Sequence, residues 1–483
     1  MELRSGRRTR RLRHPAEVGD GVDHISGIPD DVLLQLLVRL RCARAAARTG
    51  VLSRRWRGLW TRVPELYFRC VAPHALEATL AQVALPKLSL LHIDNSYRGQ
   101  PRHAISAAGV ASLLRAAARL DPVVFSLTAY VHENDRHVAV EVPSFARAAS
   151  ISLDVDNLRL APPAPGAGFP VLEKLSVAGC CFDAAALISR CPCLRVLEMR
   201  PCWRSFNSII VHSRSIEELL VIKSPITDVS IDAPMLKKFN LSVCLRGNFT
   251  MSLLAPMLDD RSWSCYFTPP SEDVGIHGIW CLHQLIIRTE ESSCVLRLYI
   301  RPAFSVHFAR NLQEMFPLPN FSDLELYLPT HGHVYGAMVL NLLMNCNAIQ
   351  KLHKLVIEGD EGTYEACPPN CDCDQMQNWR SQNISLGGPE ELKIENFKGS
   401  GHEVDFLKLM FRCAPLTKVI VRLASKVLPS SSGCKEIYNI FNENPSVDCH
   451  IYGKRGKVIY ASFFTLLAKL PGGTTNLNIK NDV

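Results

Sequence analysis

The 483-residue sequence predicts an α+β repeat protein in which a small three-helix module precedes an irregular solenoid. Two patterns predict this architecture. Leucines recur at helical spacing within residues 28–60, and the pattern L-x-x-L-x-L recurs every 20 to 22 residues from residue 172 onwards. With 47% hydrophobic and 21% charged residues, the chain has the composition of a folded protein.

The net charge of +8 is concentrated near the N-terminus. Residues 1–22 are expected to be a basic disordered segment, and eight arginines without any acidic residue follow between Arg39 and Arg62. Any nucleic-acid contact would be confined to this part of the chain, and solvated helix faces explain the arginines more simply. The run from Arg7 to Arg13 also fits a nuclear-import signal. We therefore expect a cytoplasmic or nuclear location, or both.

The first helix of the module is expected to start after Pro29. Proline suits the first turn of a helix, and Asp30 and Asp31 place negative charge at its positive end. Apolar residues at intervals of three and four then form one face of about two turns. These residues are Leu33, Leu36, Leu37 and Leu40.

Two further short helices are expected in the module. The segment ARAAARTG fits a helix that ends at Gly50, and Ser53 is placed to cap a third helix. The residues that would share one face of the third helix are Trp56, Leu59 and Trp60. A unit this small buries little surface, so its apolar face needs a partner or the next domain.

Residues 23–66 resemble the F-box of plant F-box proteins. The family pattern runs D-x-I-S-x-L-P-D-x-[LV]-L and continues as A-x-R-T-S-V-L-S-x-R-W-x-x-L-W. The sequence follows it in order, with departures at Ile28, where leucine is usual, and at Gly50, where serine is common. The resemblance implies a module that binds the Skp-type adaptor of a cullin-based ubiquitin ligase. The adaptor-binding residues that it implies are Ile28, Pro29, Leu33, Leu36, Leu37, Leu40, Val51 and Trp56.

The repeats behind the module have the period of leucine-rich repeats, in which each turn contributes one short strand. The clearest copies are Leu172-Leu175-Val177, Leu194-Leu197-Met199, Ile216-Leu219-Val221 and Leu236-Phe239-Leu241. Weaker copies are Leu282-Leu285-Ile287, Phe321-Leu324-Leu326 and Leu352-Leu355-Ile357. We expect the irregular leucine-rich-repeat region to span residues 67–386.

Side chains that alternate with the buried leucines are expected to bind a protein substrate of unknown identity. They are Lys174, Ser176, Val196, Glu198, Arg200, Glu218, Leu220, Lys238 and Asn240. This set mixes both charges with apolar groups, so it indicates no ligand class.

The stretch EELKIENFKGSGHEVDFLKLMFRCAPLTKVIVRL resembles the FBD motif that follows the repeats in many plant F-box proteins. We expect an FBD-like terminal region at residues 387–460, with a strand-helix-strand turn that caps the solenoid, and a tail at 461–483. Together the resemblances imply the substrate-recognition subunit of a Skp-adaptor/cullin/F-box ubiquitin ligase, without catalytic residues or cofactor. The alternatives are a basic nucleic-acid-binding protein and a leucine-rich-repeat scaffold that delivers nothing for degradation.

The 18 cysteines are expected to be reduced thiols, because the N-terminus lacks the apolar core of a secretory signal. Cys367, Cys371 and Cys373 lie close enough in the sequence to suggest a zinc site. A structural zinc site usually takes four ligands, however, and no histidine is adjacent to these cysteines in the sequence. The sequence therefore favours a reduced loop and leaves a metal site as the alternative, and it predicts that the His-Gly-His at residues 331–333 is a surface loop. No apolar stretch is long enough to span a bilayer, so no membrane contact is expected.

Overall fold

The protein is described by a computed structural model over most of its length. The described residues are 27–95, 104–135, 138–156, 158–200, 208–267, 274–290, 293–303, 308–309, 311–346, 352–362, 365, 367–368, 370–374, 378–453 and 456–461. The predicted basic segment 1–22, with the arginines of the nuclear-import hypothesis, lies outside these residues. So does the predicted tail, apart from residue 461.

Short helices and strands alternate along the chain. The helices of the described part are α1 (Asp30–Arg39), α2 (Ala43–Arg48), α3 (Pro73–Ala81), α4 (Ala107–Leu120), α5 (Ala184–Ile188), α6 (Leu312–Met315), α7 (Gly336–Asn345), α8 (Gly401–Cys413) and α9 (Ser432–Glu443). Within the described residues, none of these helices has both the length and the apolar character needed to cross a membrane.

Strands make up most of the regular structure. They are β1 (Glu65–Arg69), β2 (Leu90–Asn95), β3 (Val124–Ala129), β4 (Ala139–Glu141), β5 (Ser150–Val155), β6 (Arg159–Ala161), β7 (Lys174–Ala178), β8 (Cys181–Phe182), β9 (Val196–Arg200), β10 (Ser208–His212), β11 (Glu218–Asp232), β12 (Lys238–Leu254), β13 (Asp260–Phe267), β14 (Val274–His277), β15 (Trp280–Glu290), β16 (Ser293–Pro302), β17 (Phe308–Ala309), β18 (Asp323–Leu328), β19 (Lys354–Gly359), β20 (Glu391–Phe397), β21 (Lys418–Leu423), β22 (Asp448–Tyr452) and β23 (Val458–Ala461).

One 20-stranded sheet carries the repeats. A first parallel ladder runs in the order β1, β2, β3, β5, β7, β9, β11, β12 and β13. The antiparallel strands β15 and β16 follow, and a second parallel ladder runs through β16, β18, β19, β20, β21 and β22. An antiparallel hairpin therefore separates two parallel blocks of a repeat solenoid.

The four clear leucine-rich copies are confirmed as neighbouring parallel strands. Their register pairs Lys174 with Val196, Val196 with Glu218, and Glu218 with Lys238. All twelve apolar residues of these copies are at most 3% exposed. Stacked turns thus bury a continuous apolar spine, which no single turn could bury alone.

The weaker copies have mixed outcomes. Those that begin at Phe321 and Leu352 lead into β18 and β19 of the second parallel ladder, as predicted. The copy that begins at Leu282 is buried but lies on β15, which runs antiparallel to both of its long neighbours, so it is not a turn of either parallel ladder. β13 is a further parallel strand of the first ladder. The leucine pattern did not predict it, because Trp263 and Cys265 occupy the buried positions where leucines were expected.

The FBD-like region contains the expected strand-helix-strand unit, formed by β20, α8 and β21. Helix α8 begins with a capping box, in which the backbone N–H of Ser400 donates to the Glu403 carboxylate at 2.9 Å. The unit does not end the sheet, since α9 leads to β22 and then β23 pairs with β22. Among the residues that the structure describes, this later helix and strand pair therefore lie beyond the strand-helix-strand unit at that end of the sheet.

Candidate functional site

The N-terminal module starts as the sequence predicts. Pro29 is extended and α1 follows it, with Asp30 and Asp31 in its first turn. Leu33 and Leu37 on the inner face are 0% and 3% exposed and join the same apolar core as the sheet. The rest of the chain therefore covers one face of the module.

The prediction of a third helix in the module is wrong, because this segment is not one continuous helix. The chain forms two short 3-10 turns instead, Arg54–Trp56 and Leu59–Arg62. Between them Gly58 adopts a left-handed conformation with φ of 81°, which interrupts any continuous helix and suits glycine. Ser53 makes no side-chain capping bond. Leu59 and Trp60 are nevertheless buried, as expected of the apolar face.

The outer face of α1 carries an apolar strip of Val32, Leu36 and Leu40. These side chains are 39%, 43% and 46% exposed and lie at intervals of four residues, so they share one side of the helix. Val51 and Leu52, around the 3-10 turn after α2, are more exposed still. The module thus has a buried inner side and an apolar outer side.

The structure divides the eight predicted adaptor-binding residues. Leu36, Leu40, Val51 and Pro29 are exposed, and Ile28 and Trp56 are partly buried against the core. Leu33 and Leu37 differ from the expectation, because they face the core and offer almost no surface to a partner in this conformation. The other six predicted residues keep exposed or partly exposed surface, and Val32 is an exposed apolar neighbour that the sequence pattern did not include.

Part of the arginine run is engaged within the chain. Arg55 pairs with Asp30 at 2.8 Å and also donates to the carbonyl of Ile28. Arg62 lies 3.7 Å from the same aspartate. The guanidinium of Arg41 lies over the Tyr67 ring, 5.3 Å from its centre. Arg55 and Arg62 therefore link the 3-10 turns to α1, and Arg41 links the module to β1.

The nine predicted substrate-binding residues all lie on the sheet face opposite the leucine spine. The register places Ser176 beside Glu198, Glu198 beside Leu220, and Leu220 beside Asn240. A hollow of about 220 Å³ lies among six of the nine. Asp260 and Ser262 on β13 also line it, and the sequence pattern did not predict them because it did not predict that strand.

Side chains of opposite charge form ion pairs on the sheet face around this hollow. Lys174 pairs with Glu198 at 2.6 Å, and Lys238 pairs with Glu218 at 3.2 Å. Burial raises the pKa of Glu198, but hydrogen bonds from Lys174 and Ser176 and the nearby positive charges outweigh it, so the net pKa is lowered. The surface therefore presents ionised groups of both signs.

A charge cluster at the start of β11 gives a pH prediction. Hydrogen bonds from Arg195 at 2.8 Å and Lys237 at 2.9 Å lower the pKa of Glu217 to about 2. A lowered carboxyl pKa stabilises the fold above its unperturbed value of 4.5, and this stabilisation is lost as pH falls towards 2. We expect Glu217→Gln to lower Tm by about 1 °C at neutral pH, since surface pairs contribute little.

The measurement is Tm against pH for wild type and Glu217→Gln, and the two curves should converge as pH falls from 4.5 towards 2. Glu77→Gln on α3 is the control for loss of a surface carboxylate. A difference that stays constant with pH would contradict this assignment.

A second hollow of about 340 Å³ lies on the second parallel block, and none of its residues was predicted as a binding residue from the sequence. Its lining residues are Glu325, Tyr327, Lys354, Val356, Glu358, Lys393, Glu395 and Asn396. Tyr299 and Tyr327 stack beside it with ring centres 4.4 Å apart. Burial and then the charge of Glu395 raise the pKa of Glu358. Alternation with the leucines of β18 and β19 was the signal that could have identified it.

Comparison with known proteins places the chain in a family. A family model described as FBD-associated F-box protein At5g56370, LRR repeats, matches residues 110–253. The Arabidopsis thaliana "Putative F-box protein At2g39415" is 36% identical over 84 residues, which are 16% of this chain and 70% of that protein. This chain belongs to the plant F-box proteins.

The names of other relatives include leucine-rich repeats, and one of them also includes the FBD motif. F-box/LRR-repeat protein 25 of Arabidopsis thaliana is 28% identical over 187 residues, 37% of this chain and 68% of that protein. The "Putative F-box/FBD/LRR-repeat protein At5g44960" from the same plant is 26% identical over 240 residues. That match spans 44% of this chain and 52% of the relative, about half its length. No solved structure is similar to this F-box chain.

Proposed function

We propose that the chain is the substrate-recognition subunit of a ubiquitin ligase built on a Skp-type adaptor and a cullin. The observation that carries the proposal is the apolar strip on α1, exposed on a helix whose other face is buried, in a member of the F-box family. Contiguous exposed apolar side chains are typical of interaction sites. Each one buried by a partner contributes about 1.5–3 kcal/mol before ordering costs.

Residues 23–66 are the proposed F-box, with the two 3-10 turns in place of its third helix. The proposed order continues with the repeat region 67–386, the FBD-like region 387–460 and a tail 461–483, after the basic segment 1–22. The proposed role is non-catalytic, since holding a substrate near a separate transferase raises its effective concentration. We place this activity in the cytosol or nucleus.

The experiment is co-purification of the full chain with plant Skp-type adaptors and a cullin at low and high salt. Apolar docking should persist at high salt, whereas phosphate contacts in a nucleic-acid-binding protein would weaken steeply. Capture by none of several adaptors would reject the proposal. Substrate turnover separates a degradative receptor from a non-degradative scaffold.

The sheet face around the first hollow is the proposed substrate surface. We expect a Glu198→Ala, Arg200→Ala, Glu218→Ala variant to lose at least one protein partner about tenfold or more while retaining the adaptor, because a few residues dominate a protein interface. Quantified affinity purification measures this. Lys408→Ala with Glu436→Ala, an ion pair between α8 and α9, is the control. Retention of every partner would show that substrate binds elsewhere.

A further inference from the structure

Four metal-ligand side chains meet where two loops approach each other. His333 lies in the loop between β18 and α7, and Cys367, Cys371 and Cys373 lie between β19 and β20. Their ligand atoms are all within 4.8 Å of one another. No histidine is adjacent to these thiols in the sequence. The fold nevertheless supplies His333 from outside the cysteine segment.

Two of the ligand-to-ligand distances match those of a tetrahedral zinc site. The sulfur atoms of Cys367 and Cys373 are 3.5 Å apart, and Cys371 Sγ lies 3.4 Å from His333 Nδ1. With Zn–S of about 2.3 Å and Zn–N of about 2.0 Å, tetrahedral geometry places neighbouring ligand atoms about 3.5–3.8 Å apart. A disulfide would bring two sulfur atoms to about 2.0 Å, and all three cysteines are free.

Backbone hydrogen bonds hold the two loops against each other at this cluster. The N–H of Cys367 donates to the carbonyl of Gly332 at 3.3 Å, and the N–H of Val334 donates to Cys373 Sγ at 3.4 Å. Hydrogen bonds from backbone N–H groups to ligand sulfur are typical support for a metal site. Trp280, which is fully buried, donates to the carbonyl of Val334 and fixes that loop to the sheet.

The residue after the last cysteine anchors the cluster to the C-terminal helices. Asp374 accepts hydrogen bonds from the Trp379 indole at 2.6 Å and from Arg380 at 2.9 Å. Arg380 also donates to Asp405 on α8 at 3.0 Å. The ligands are therefore held by packed elements on both sides rather than by a loop alone.

We propose that His333, Cys367, Cys371 and Cys373 form a structural Zn²⁺ site. Three thiolates and one imidazole complete a tetrahedral set, so no position is left for water or substrate and the site is structural rather than catalytic. Binding releases the three thiol protons to solvent. The ion clips the segment between β19 and β20 to the loop after β18. This inference is independent of adaptor binding.

The test begins with the metal content of the full chain purified under reducing conditions. We expect about one zinc ion per chain in wild type, and less than about a tenth of that in Cys371→Ser and in His333→Ala. Cys193→Ser replaces an exposed cysteine outside the cluster and is the matched control, so it should keep its zinc. Removal of the ion by a chelator should lower Tm of wild type and leave the Cys371→Ser variant unchanged.

A titration of zinc-free, reduced wild type with Co²⁺ needs no variant and is independent of folding defects in the mutants. One equivalent should give the visible absorption of tetrahedral cobalt bound to thiolates. Absence of both zinc and this absorption would overturn the proposal. So would zinc content in Cys371→Ser and His333→Ala equal to that of wild type, which would indicate adventitious binding to other cysteines.

Discussion

Replacing Leu36 and Leu40 with aspartate is expected to abolish capture of a Skp-type adaptor while the repeat sheet stays folded. Both side chains are nearly half exposed, so the unbound chain tolerates the charge. At a closed interface, a buried unpaired carboxylate costs several kcal/mol. Two such groups should weaken binding by at least about 1,000-fold. The measurement is co-purification of adaptor with the full-length variant.

Leu428→Asp is the matched control for this variant. Leu428 is 68% exposed and lies between β21 and α9, in the FBD-like region, so its replacement introduces one such carboxylate outside the module. Circular dichroism should show unchanged β-structure in both variants. If the folded Leu36→Asp, Leu40→Asp chain captured adaptor as well as wild type, the strip would not be the docking surface.

Trp263→Ala is expected to have the largest effect on stability. Trp263 is completely buried on β13 and packs edge-on against Phe239, with ring centres 5.7 Å apart. The register places it beside Leu241 on β12 and Ile287 on β15, where the first parallel ladder meets the hairpin. Truncation of a buried tryptophan leaves a cavity and costs about 3–5 kcal/mol. Urea unfolding followed by circular dichroism measures the loss.

Trp263→Phe distinguishes ring packing from the indole N–H. Among the described residues, the buried Nε1 of Trp263 has no hydrogen-bond acceptor. Phenylalanine keeps most of the ring and removes this unsatisfied donor, so we expect a cost below about 1.5 kcal/mol. If the alanine and phenylalanine variants lost the same free energy of unfolding, the cavity would not be the main cause of the destabilisation.

The repeat core could be predicted from the sequence because its signal is local. Leucines at a fixed spacing determine which face of each strand is buried, and the neighbouring turns then repeat the same geometry. The residues of the sheet face followed from the same alternation. The leucine pattern did not predict β13, because a tryptophan and a cysteine fill the core positions there that leucines fill in the other strands.

Two features depended on conformation and distance rather than on pattern. The break at Gly58 depends on a left-handed backbone that helical spacing does not reveal. His333 reaches the cysteines only because β18 and β19 are neighbours in the sheet and the segments after them meet. No local spacing rule brings together ligands from two separate loops.

The hairpin of β15 and β16 has a consequence for the whole sheet face. Two successive reversals restore the original strand direction, so β16 and the second parallel block run the same way as β13. The register also keeps the buried side chains on one face, since it places Trp263 beside Ile287, Ile287 beside Leu296 and Leu296 beside Leu324. Both hollows therefore lie on the opposite face of the same sheet. A partner that bound both hollows would be held bivalently, and loss of either contact would then shorten its residence time without releasing it at once.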